Sequence, residues 1–113
     1  MQNDWRIIFY RTPAGRRPVI DFLEEQDART RNKIEEAIQT LEQRNVGIGY
    51  PLARPIEGKL WELRIEQQTN IYRVFYFFFT GRQIILLHAF QKKTQKTPNR
   101  EIQIALKRMS EYL

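Results

Sequence analysis

The chain has 113 residues, 42% hydrophobic and 28% charged, so we expect one globular domain spanning 1–113. It has no cysteine, which excludes disulfides, thiol nucleophiles and cysteine-ligated zinc, and its only histidine is His88. The formal net charge is +6, and no uncharged stretch exceeds nine residues, against the ~20 that a membrane span needs. Residues 1–6 carry charges where a signal peptide needs an apolar run, so we expect a cytoplasmic protein.

The first half predicts one strand followed by two helices. The aromatic and β-branched run 4–10 predicts a strand that ends in a turn containing proline and glycine. Pro18 is expected at the first position of a helix. Asp27 is expected to cap a second helix, which ends near a left-handed Gly47. We expect residues 47–58 to be a connection.

The second half predicts three strands and a helix. The strand-like runs are 60–66, 71–79 and 83–90, and the middle run is expected to be central because its uncharged end would aggregate if exposed. The last helix is expected to begin at Thr97–Pro98, a capping residue followed by proline. The order β-α-α-β-β-β-α predicts an α+β fold in which two N-terminal helices and a C-terminal helix pack on one antiparallel sheet. The apolar stripe of the last helix is Ile102, Ala105, Leu106, Met109 and Leu113.

The positive charge is concentrated in the second half of the chain. Residues 1–57 contain nine basic and nine acidic side chains, whereas residues 58–113 contain ten basic and four acidic ones. From Arg64 to Arg100 there are seven basic side chains and one acid, Glu66. A basic surplus confined to one region is typical of a protein that binds a polyanion. A solvated surface without a partner is the alternative.

The two hairpins decide which of these cations share a face of the sheet. A four-residue loop at 67–70 places Arg64 opposite Arg73 on the neighbouring strand. A two-residue turn at 80–81 then places His88 opposite Arg73 on the third strand. The two registers together predict a row of Arg64, Arg73 and His88 across three strands.

A row of opposed cations is destabilising unless something compensates the charge. A phosphate held between two guanidinium groups would do so. The alternative is that Glu62 or Glu66, which share the parity of Arg64, pairs with the arginines. For His88 the alternative is a satisfied core histidine, since a lone histidine in an apolar strand is commonly one.

Three lysines, Lys92, Lys93 and Lys96, follow the last strand. Their mutual repulsion is expected to lower their proton affinity and to favour phosphate binding. A lysine shifted in this way could act as a base at neutral pH. The alternative is an exposed basic connection. The sequence contains no glycine-rich phosphate loop, Ser-His-Asp set or paired-carboxylate site that we can recognise.

Three motifs in this order resemble the phage-derived, HigB-like toxins of the RelE/ParE superfamily of type II toxin–antitoxin systems. They are LWELR at 60–64, YRVFY at 72–76 and LHAFQKKTQKTP at 87–98, and the helix beginning at 18–23 also fits. The resemblance covers nearly the whole chain and implies a RelE-like α+β fold. In the RelE and HigB branches it implies endonucleolytic cleavage of mRNA in the ribosomal A site. That reaction is attack of the ribose 2′-OH on the adjacent phosphate, and it needs no metal or cofactor.

The resemblance also implies roles for single residues. Arg73 matches the family's arginine that contacts the scissile phosphate, and Arg64 occupies a position that is basic in the RelE branch. Glu62 stands where RelE itself has a lysine, and Pro98 falls near its catalytic tyrosine. The candidate catalytic residues are Arg73, Arg64, Lys92, Lys93 and His88, and the candidate RNA- or phosphate-binding residues are Lys96, Arg82, Lys59 and Arg100.

The partners that the resemblance implies are a cognate helix-turn-helix antitoxin, the ribosome and mRNA, with no membrane. The antitoxin would either lay an acidic segment over the cations or bind the helical face 18–45 and exclude the ribosome by bulk. Two other functions remain open at this point. One is a ParE-like inhibitor that binds DNA gyrase without catalysis, and the other is a degenerate remnant that binds nucleic acid or an antitoxin without toxicity.

Overall fold

Five strands form one mixed sheet in the computed structural model, which describes residues 4–93, 96 and 98–113. Three helices pack on the sheet, and the short 3-10 turn Asn45–Gly47 follows the second of them. The spatial order of the strands is β1-β5-β4-β3-β2. The α+β class is therefore confirmed. The elements are β1 (Arg6–Phe9), α1 (Pro18–Glu24), α2 (Ala28–Arg44), β2 (Ala53–Glu57), β3 (Leu60–Gln67), β4 (Asn70–Phe79), β5 (Gln83–Lys92) and α3 (Asn99–Ser110).

The expectation of a purely antiparallel sheet is wrong at one edge. Strand β1 pairs with β5 in parallel, with Arg6 aligned to Gln83. A parallel pair needs a long connection, and here the intervening chain contains both N-terminal helices and three strands. The expectation that 47–58 is only a connection is also wrong, because it contains β2, which pairs antiparallel with β3. Proline is uncommon in strands, so Pro55 favoured a connection in the sequence, but proline is tolerated in an edge strand such as β2.

The helix starts in the first half agree with the sequence. Pro18 opens α1, and the Oδ1 of Asp27 accepts a hydrogen bond from the Thr30 N–H at 2.8 Å. The end of α2 differs. Asn45 takes the positive φ, at 40°, and Gly47 does not. An asparagine tolerates this conformation better than most residues, so the chain turns two residues earlier than expected.

The last helix begins one residue later than expected. Pro98 precedes α3 as its N-cap and is not its first helical residue, and the expected capping residue Thr97 lies outside the described residues. Four residues of the expected apolar stripe pack on the sheet, but Leu113 is exposed. Tyr112 packs against the aromatic residues of the sheet instead.

The sheet separates two apolar cores. On one face α1 and α2 cover residues such as Tyr76, and on the other face α3 covers Phe75 and Phe77, all three of them fully buried. Strand β4 lies in the middle of the sheet, so its predicted central position is confirmed. No helix in the described part of the chain is long and apolar enough to cross a bilayer.

The register between β3 and β4 is the predicted one, with Arg64 directly opposite Arg73. The expected four-residue loop 67–70 is wrong, because Gln67 pairs with Asn70 and only two residues connect the strands. The register between β4 and β5 is not the predicted one. Arg73 lies opposite Phe90, and His88 lies opposite Phe75. The predicted row is therefore correct at its two arginines and wrong at its histidine.

Two local features move β5 relative to the prediction. The loop after β4 includes Arg82 as well as Thr80 and Gly81, and both Gly81 and Arg82 have positive φ. Further along, β5 carries an extra residue, Leu87, where the register shifts. Such a bulge turns two successive side chains to one face. Leu87 and His88 accordingly both face α3.

Candidate nucleic-acid interface

A cleft of about 240 Å³ opens on the face of the sheet that α3 partly covers. Four charged side chains from three neighbouring strands line it. Arg54 comes from β2, Glu62 and Arg64 from β3, and Arg73 from β4. The pairing explains this convergence, since Arg54 is opposite Glu62 and Arg64 is opposite Arg73. Residues two apart on a strand share a face, which brings all four together.

Glu62 is fully buried at the floor of the cleft and holds two of the arginines. Its Oε1 accepts hydrogen bonds from Nη1 of Arg73 at 2.7 Å and from Nε of Arg54 at 2.9 Å. The side chain of Arg73 is only 5% exposed, whereas that of Arg54 is 45% exposed. Burial lowers the pKa of Arg73, and the charge of Glu62 opposes this shift. The alternative in which Glu62 pairs with the arginines is therefore confirmed.

Two further cations at this end of the sheet, Arg64 and Lys92, are more accessible than Arg73. Arg64 pairs with Glu66 at 2.5 Å near the rim, where the two side chains are 34% and 57% exposed. Lys92 is half-buried at the end of β5. Its pKa is lowered by burial and then by the charge of Arg73, while Glu62 acts in the opposite direction. The lowered pKa agrees with the prediction, but its main causes are burial and an arginine rather than neighbouring lysines.

Two of the predicted phosphate-binding residues lie away from this cleft. Lys59 precedes β3 and Arg82 precedes β5, at the end of the sheet opposite to Lys92. The ten residues of β5 correspond to roughly 30 Å of strand. Nη1 of Arg82 donates to Asp4 there, at 2.9 Å. The structure does not bring these two residues to the arginines.

The remaining predicted cations lie beyond β5. Lys93 and Lys96 are exposed where the chain leaves the sheet. Arg100 is in the first turn of α3, with its side chain 84% exposed and 3.9 Å from Glu101. These side chains can meet an extended polyanion that continues past the cleft, but they do not line the cleft itself.

His88 lies between β5 and α3, where it contacts residues of α3 and not those of the cleft. Its Nε2 is 2.6 Å from Oε1 of Glu101, and its Nδ1 is 3.3 Å from Nη1 of Arg108. Since a guanidinium only donates, Nδ1 must accept and Nε2–H must donate to Glu101. Burial lowers the pKa of His88, which favours this neutral form. The rings of Phe75 and Phe90 stack beside the imidazole. This is the satisfied core histidine of the alternative interpretation.

Arg54 was not among the residues that the sequence indicated. Its segment was expected to be a connection, although one signal was available. Gly58 and Lys59 form a two-residue hairpin turn, with Gly58 at a φ of 56°, which predicts a strand on the N-terminal side as well. Among the described residues, no group of three His, Asp or Glu side chains is placed to hold a metal ion.

The fold and the cleft define a class: a small α+β protein with a cluster of arginines across one face of its sheet. The family model described as "Phage derived protein Gp49-like (DUF891)" matches residues 21–110, and the chain belongs to this family. Over 55 residues, 49% of the chain, it is 44% identical to the probable endoribonuclease HigB1 of Mycobacterium tuberculosis, in strain CDC 1551 / Oshkosh and in strain ATCC 25618 / H37Rv. The matched stretch is 43% of each relative, so the chain spans less than half the length of these curated relatives. These similarities confirm the predicted resemblance to HigB-like toxins.

Proposed function

We propose that residues 1–113 form the toxin domain of a type II toxin–antitoxin pair, a cytoplasmic endoribonuclease that cleaves mRNA on the ribosome. The observation that carries this proposal is the convergence of Arg54, Arg64, Arg73 and Lys92 at one end of the sheet. Membership of the Gp49-like family and the similarity to HigB1 endoribonucleases support it.

The proposed reaction depends mainly on positively charged groups near the reacting phosphate. The ribose 2′-hydroxyl loses its proton to solvent as its oxygen attacks the adjacent phosphorus, and the bond to the 5′-oxygen breaks. Protonation of that oxygen then leaves a 5′-hydroxyl beside the 2′,3′-cyclic phosphate. The phosphorane between these states carries additional negative charge, which guanidinium groups in a partly enclosed site stabilise. A cleft lined by three arginines meets this requirement.

We assign the scissile phosphate to Arg64 rather than to Arg73, the residue that the resemblance implies, because Arg73 is nearly buried. Arg64 is the more exposed of the two opposed arginines, and its present partner, Glu66, is more than half exposed. An exposed ion pair is weak, so a phosphate can replace Glu66 at little cost. Arg73 contributes charge from the floor of the cleft, where Glu62 fixes its position.

Proton transfer is the role that we assign to Lys92. Its pKa lies below the ordinary value of a lysine, because it is partly desolvated beside Arg73. An ammonium of lowered pKa gives up its proton more readily, which suits protonation of the leaving 5′-oxygen. We assign the neighbouring phosphates of the RNA to Lys93 and Lys96, which are exposed.

Purified chain and ribosomes programmed with a defined mRNA test this proposal. We expect cleavage products that end in a 2′,3′-cyclic phosphate and a 5′-hydroxyl. Arg64→Ala is expected to slow cleavage by ~100-fold or more, the usual effect of removing a group that stabilises the transition state. Arg29→Ala removes an exposed arginine from α2, on the other face of the sheet, and is the matched control. Cleavage by Arg64→Ala at the wild-type rate would remove this residue from the site.

A second candidate is a non-catalytic protein that binds and inhibits DNA gyrase. One observation favours it: Arg73 is nearly buried and paired with Glu62, as a purely structural arginine would be. Such a protein would need the fold and a binding surface but no proton transfer. It would leave mRNA intact in the ribosome assay.

We propose that a helix-turn-helix antitoxin binds the helical face formed by 18–45. This region contains α1 and α2, which cover the face of the sheet opposite to the cleft. A partner bound there excludes the ribosome by its volume and leaves the cations accessible. Co-expression with the product of the neighbouring gene tests this proposal. The purified complex is expected to bind a short RNA as the free chain does, whereas competition between RNA and antitoxin would indicate a partner that covers the cleft.

A further inference from the structure

One exposed aromatic residue lies at the rim of the cleft. Tyr50 is 84% exposed and lines the same cleft as Arg54 and Arg64. Single exposed apolar residues are ordinary on protein surfaces and need no explanation by themselves. Tyr50 differs because its neighbours in the cleft carry guanidinium groups. An aromatic ring beside clustered cations is the combination with which proteins bind single-stranded nucleic acid.

The backbone on both sides of Tyr50 is anchored. The Gly49 carbonyl accepts a hydrogen bond from the Leu52 N–H at 3.0 Å, which closes a turn around Tyr50. The Leu52 carbonyl in turn accepts from the Arg64 N–H at 2.8 Å. Ile48, just before the turn, is buried in the core between the sheet and α2. The turn that contains Tyr50 is therefore hydrogen-bonded to the backbone of Arg64, the proposed phosphate ligand.

We propose that Tyr50 is a stacking platform for one unpaired base of the RNA, whose phosphate lies at Arg64 and Arg54. This inference rests on the proposed function and names the form of RNA that the site accepts. A base can lie on the tyrosine ring only when it is not paired and stacked within a duplex. Every base has a π face, so this contact selects single-stranded RNA without selecting one base.

Equilibrium binding of a short fluorescein-labelled single-stranded RNA to the purified full-length chain tests the proposal. Tyr50→Ala is expected to weaken binding by ~5- to 150-fold, the range for removal of one stacked base. Tyr50→Phe and Tyr50→Trp are expected to bind as the wild type does, since both keep an aromatic face. Val46→Ala is the control, because Val46 is also exposed in the same connecting segment but does not line the cleft.

RNAs in which one nucleotide at a time is abasic separate stacking from a general decrease in affinity. At one position, the abasic RNA is expected to bind the wild type as weakly as intact RNA binds Tyr50→Ala. The two changes together are expected to cost no more than either alone. Additive losses, or a Tyr50→Ala variant that binds intact RNA like the wild type, would overturn the proposal.

The RNA-binding assay and the ribosome-cleavage assay together distinguish failure of this inference from failure of the proposed function. If Arg64→Ala abolishes ribosome-dependent cleavage while Tyr50→Ala leaves RNA binding unchanged, the nuclease proposal stands and the stacking proposal fails. If the wild type binds no single-stranded RNA and cleaves none on ribosomes, both fail. A surface at Tyr50 that serves a protein partner would give the first of these results.

Discussion

At the floor of the cleft, one carboxylate oxygen accepts hydrogen bonds from two arginines. Glu62 is fully buried, and it offsets part of the positive charge of Arg73 and Arg54. Removing a charge from water is costly unless it is paired, so the two buried members depend on each other. The pair therefore fixes the position of the Arg73 charge at the floor of the cleft.

This dependence predicts that replacing one member of the buried pair destabilises the fold more than replacing both. Arg73→Met leaves the carboxylate of Glu62 buried with one fewer cation, and breaking such a pair typically costs ~3–5 kcal/mol. The double variant Glu62→Met with Arg73→Met removes both charges and is expected to recover most of that stability. Chemical denaturation measures the free energy of unfolding of the wild type, of Glu62→Met, of Arg73→Met and of the double variant.

Arg64→Met is the control for this experiment. The Arg64–Glu66 pair lies near the surface, with its side chains 34% and 57% exposed, so we expect a decrease of less than ~1 kcal/mol. If the effects of Glu62→Met and Arg73→Met simply add, the buried pair is not the coupled unit described above.

His88 predicts a pH dependence of stability. Burial and Arg108 lower its pKa in the folded chain, and Glu101 only partly opposes them. The unfolded chain, with a histidine pKa of about 6.5, therefore binds a proton at a higher pH than the folded chain does. As the pH falls below that value, the free energy of unfolding decreases until the folded-state pKa is reached.

Denaturation of the wild type and of His88→Gln between about pH 7.5 and about pH 5.5 measures this effect, because histidine titrates in that range. His88 is the only histidine, so the variant is expected to show a flatter profile. Equal slopes for the two chains would mean that His88 does not titrate differently on folding.

Among the elements, the β4–β5 connection depends on backbone conformations that few residues adopt. Gly81 has a φ of 73°, where a Cβ atom is strained, and the added atom would also approach the Gln83 side chain at 3.3 Å. We expect Gly81→Ala to destabilise the chain by ~1–2 kcal/mol. Thermal denaturation measures the effect.

Gly49→Ala is the matched control, since its φ is not in the strained range and no atom lies within 4 Å of the added Cβ. A Gly81→Ala variant as stable as Gly49→Ala would contradict the left-handed turn. Both positions are exposed glycines in turns, so they differ mainly in backbone conformation.

The elements that the sequence predicted well are those whose signals are local. Pro18 and Asp27 set helix starts by the chemistry of their own side chains, and both appear as expected. The β3–β4 register was predicted correctly, with Arg64 opposite Arg73, because a two-residue turn centred on the expected four-residue loop keeps the same pairing. These predictions needed no knowledge of distant contacts.

The elements that were predicted poorly from the sequence depend on tertiary context. Arg82 adopts a positive φ although it is not glycine. No turn-forming residue near Leu87 indicates the bulge there. Both features shift β5 and move His88 away from Arg73. The strand containing Pro55 is stable only because it pairs with β3 at an edge. Of the residues that line the cleft, the sequence therefore indicated Arg64 and Arg73 but not Arg54 or Tyr50.

At the scale of the whole molecule, Arg64, Arg73 and Lys92 lie at one end of the sheet, and Lys93 and Lys96 follow in the chain beyond it. RNA bound there releases counterions, so its affinity falls as the salt concentration rises. Neutralising Lys93 or Lys96 is expected to reduce the slope of log K against log salt by ~0.7 for each phosphate that the chain no longer neutralises. Fluorescence titration over a range of salt concentrations measures this slope.

Equal neutralisation in α2, at Arg29 and Lys33, is the control, because these exposed cations lie on the other face of the sheet. We expect the slope to stay unchanged there. Matching effects from the two sets would mean that total charge, and not its location, governs binding.

Mapping of the 5′ ends of cellular mRNA after induction of the chain tests the central claim most directly. We predict new 5′-hydroxyl ends inside translated regions, in phase with codons, because the cleavage that we propose takes place in the ribosomal A site. The Arg64→Ala chain is predicted to produce few such ends at equal abundance, whereas Arg29→Ala is predicted to produce them as the wild type does. Intact mRNA accompanied by a DNA-damage response would contradict the ribonuclease account and indicate an inhibitor of gyrase.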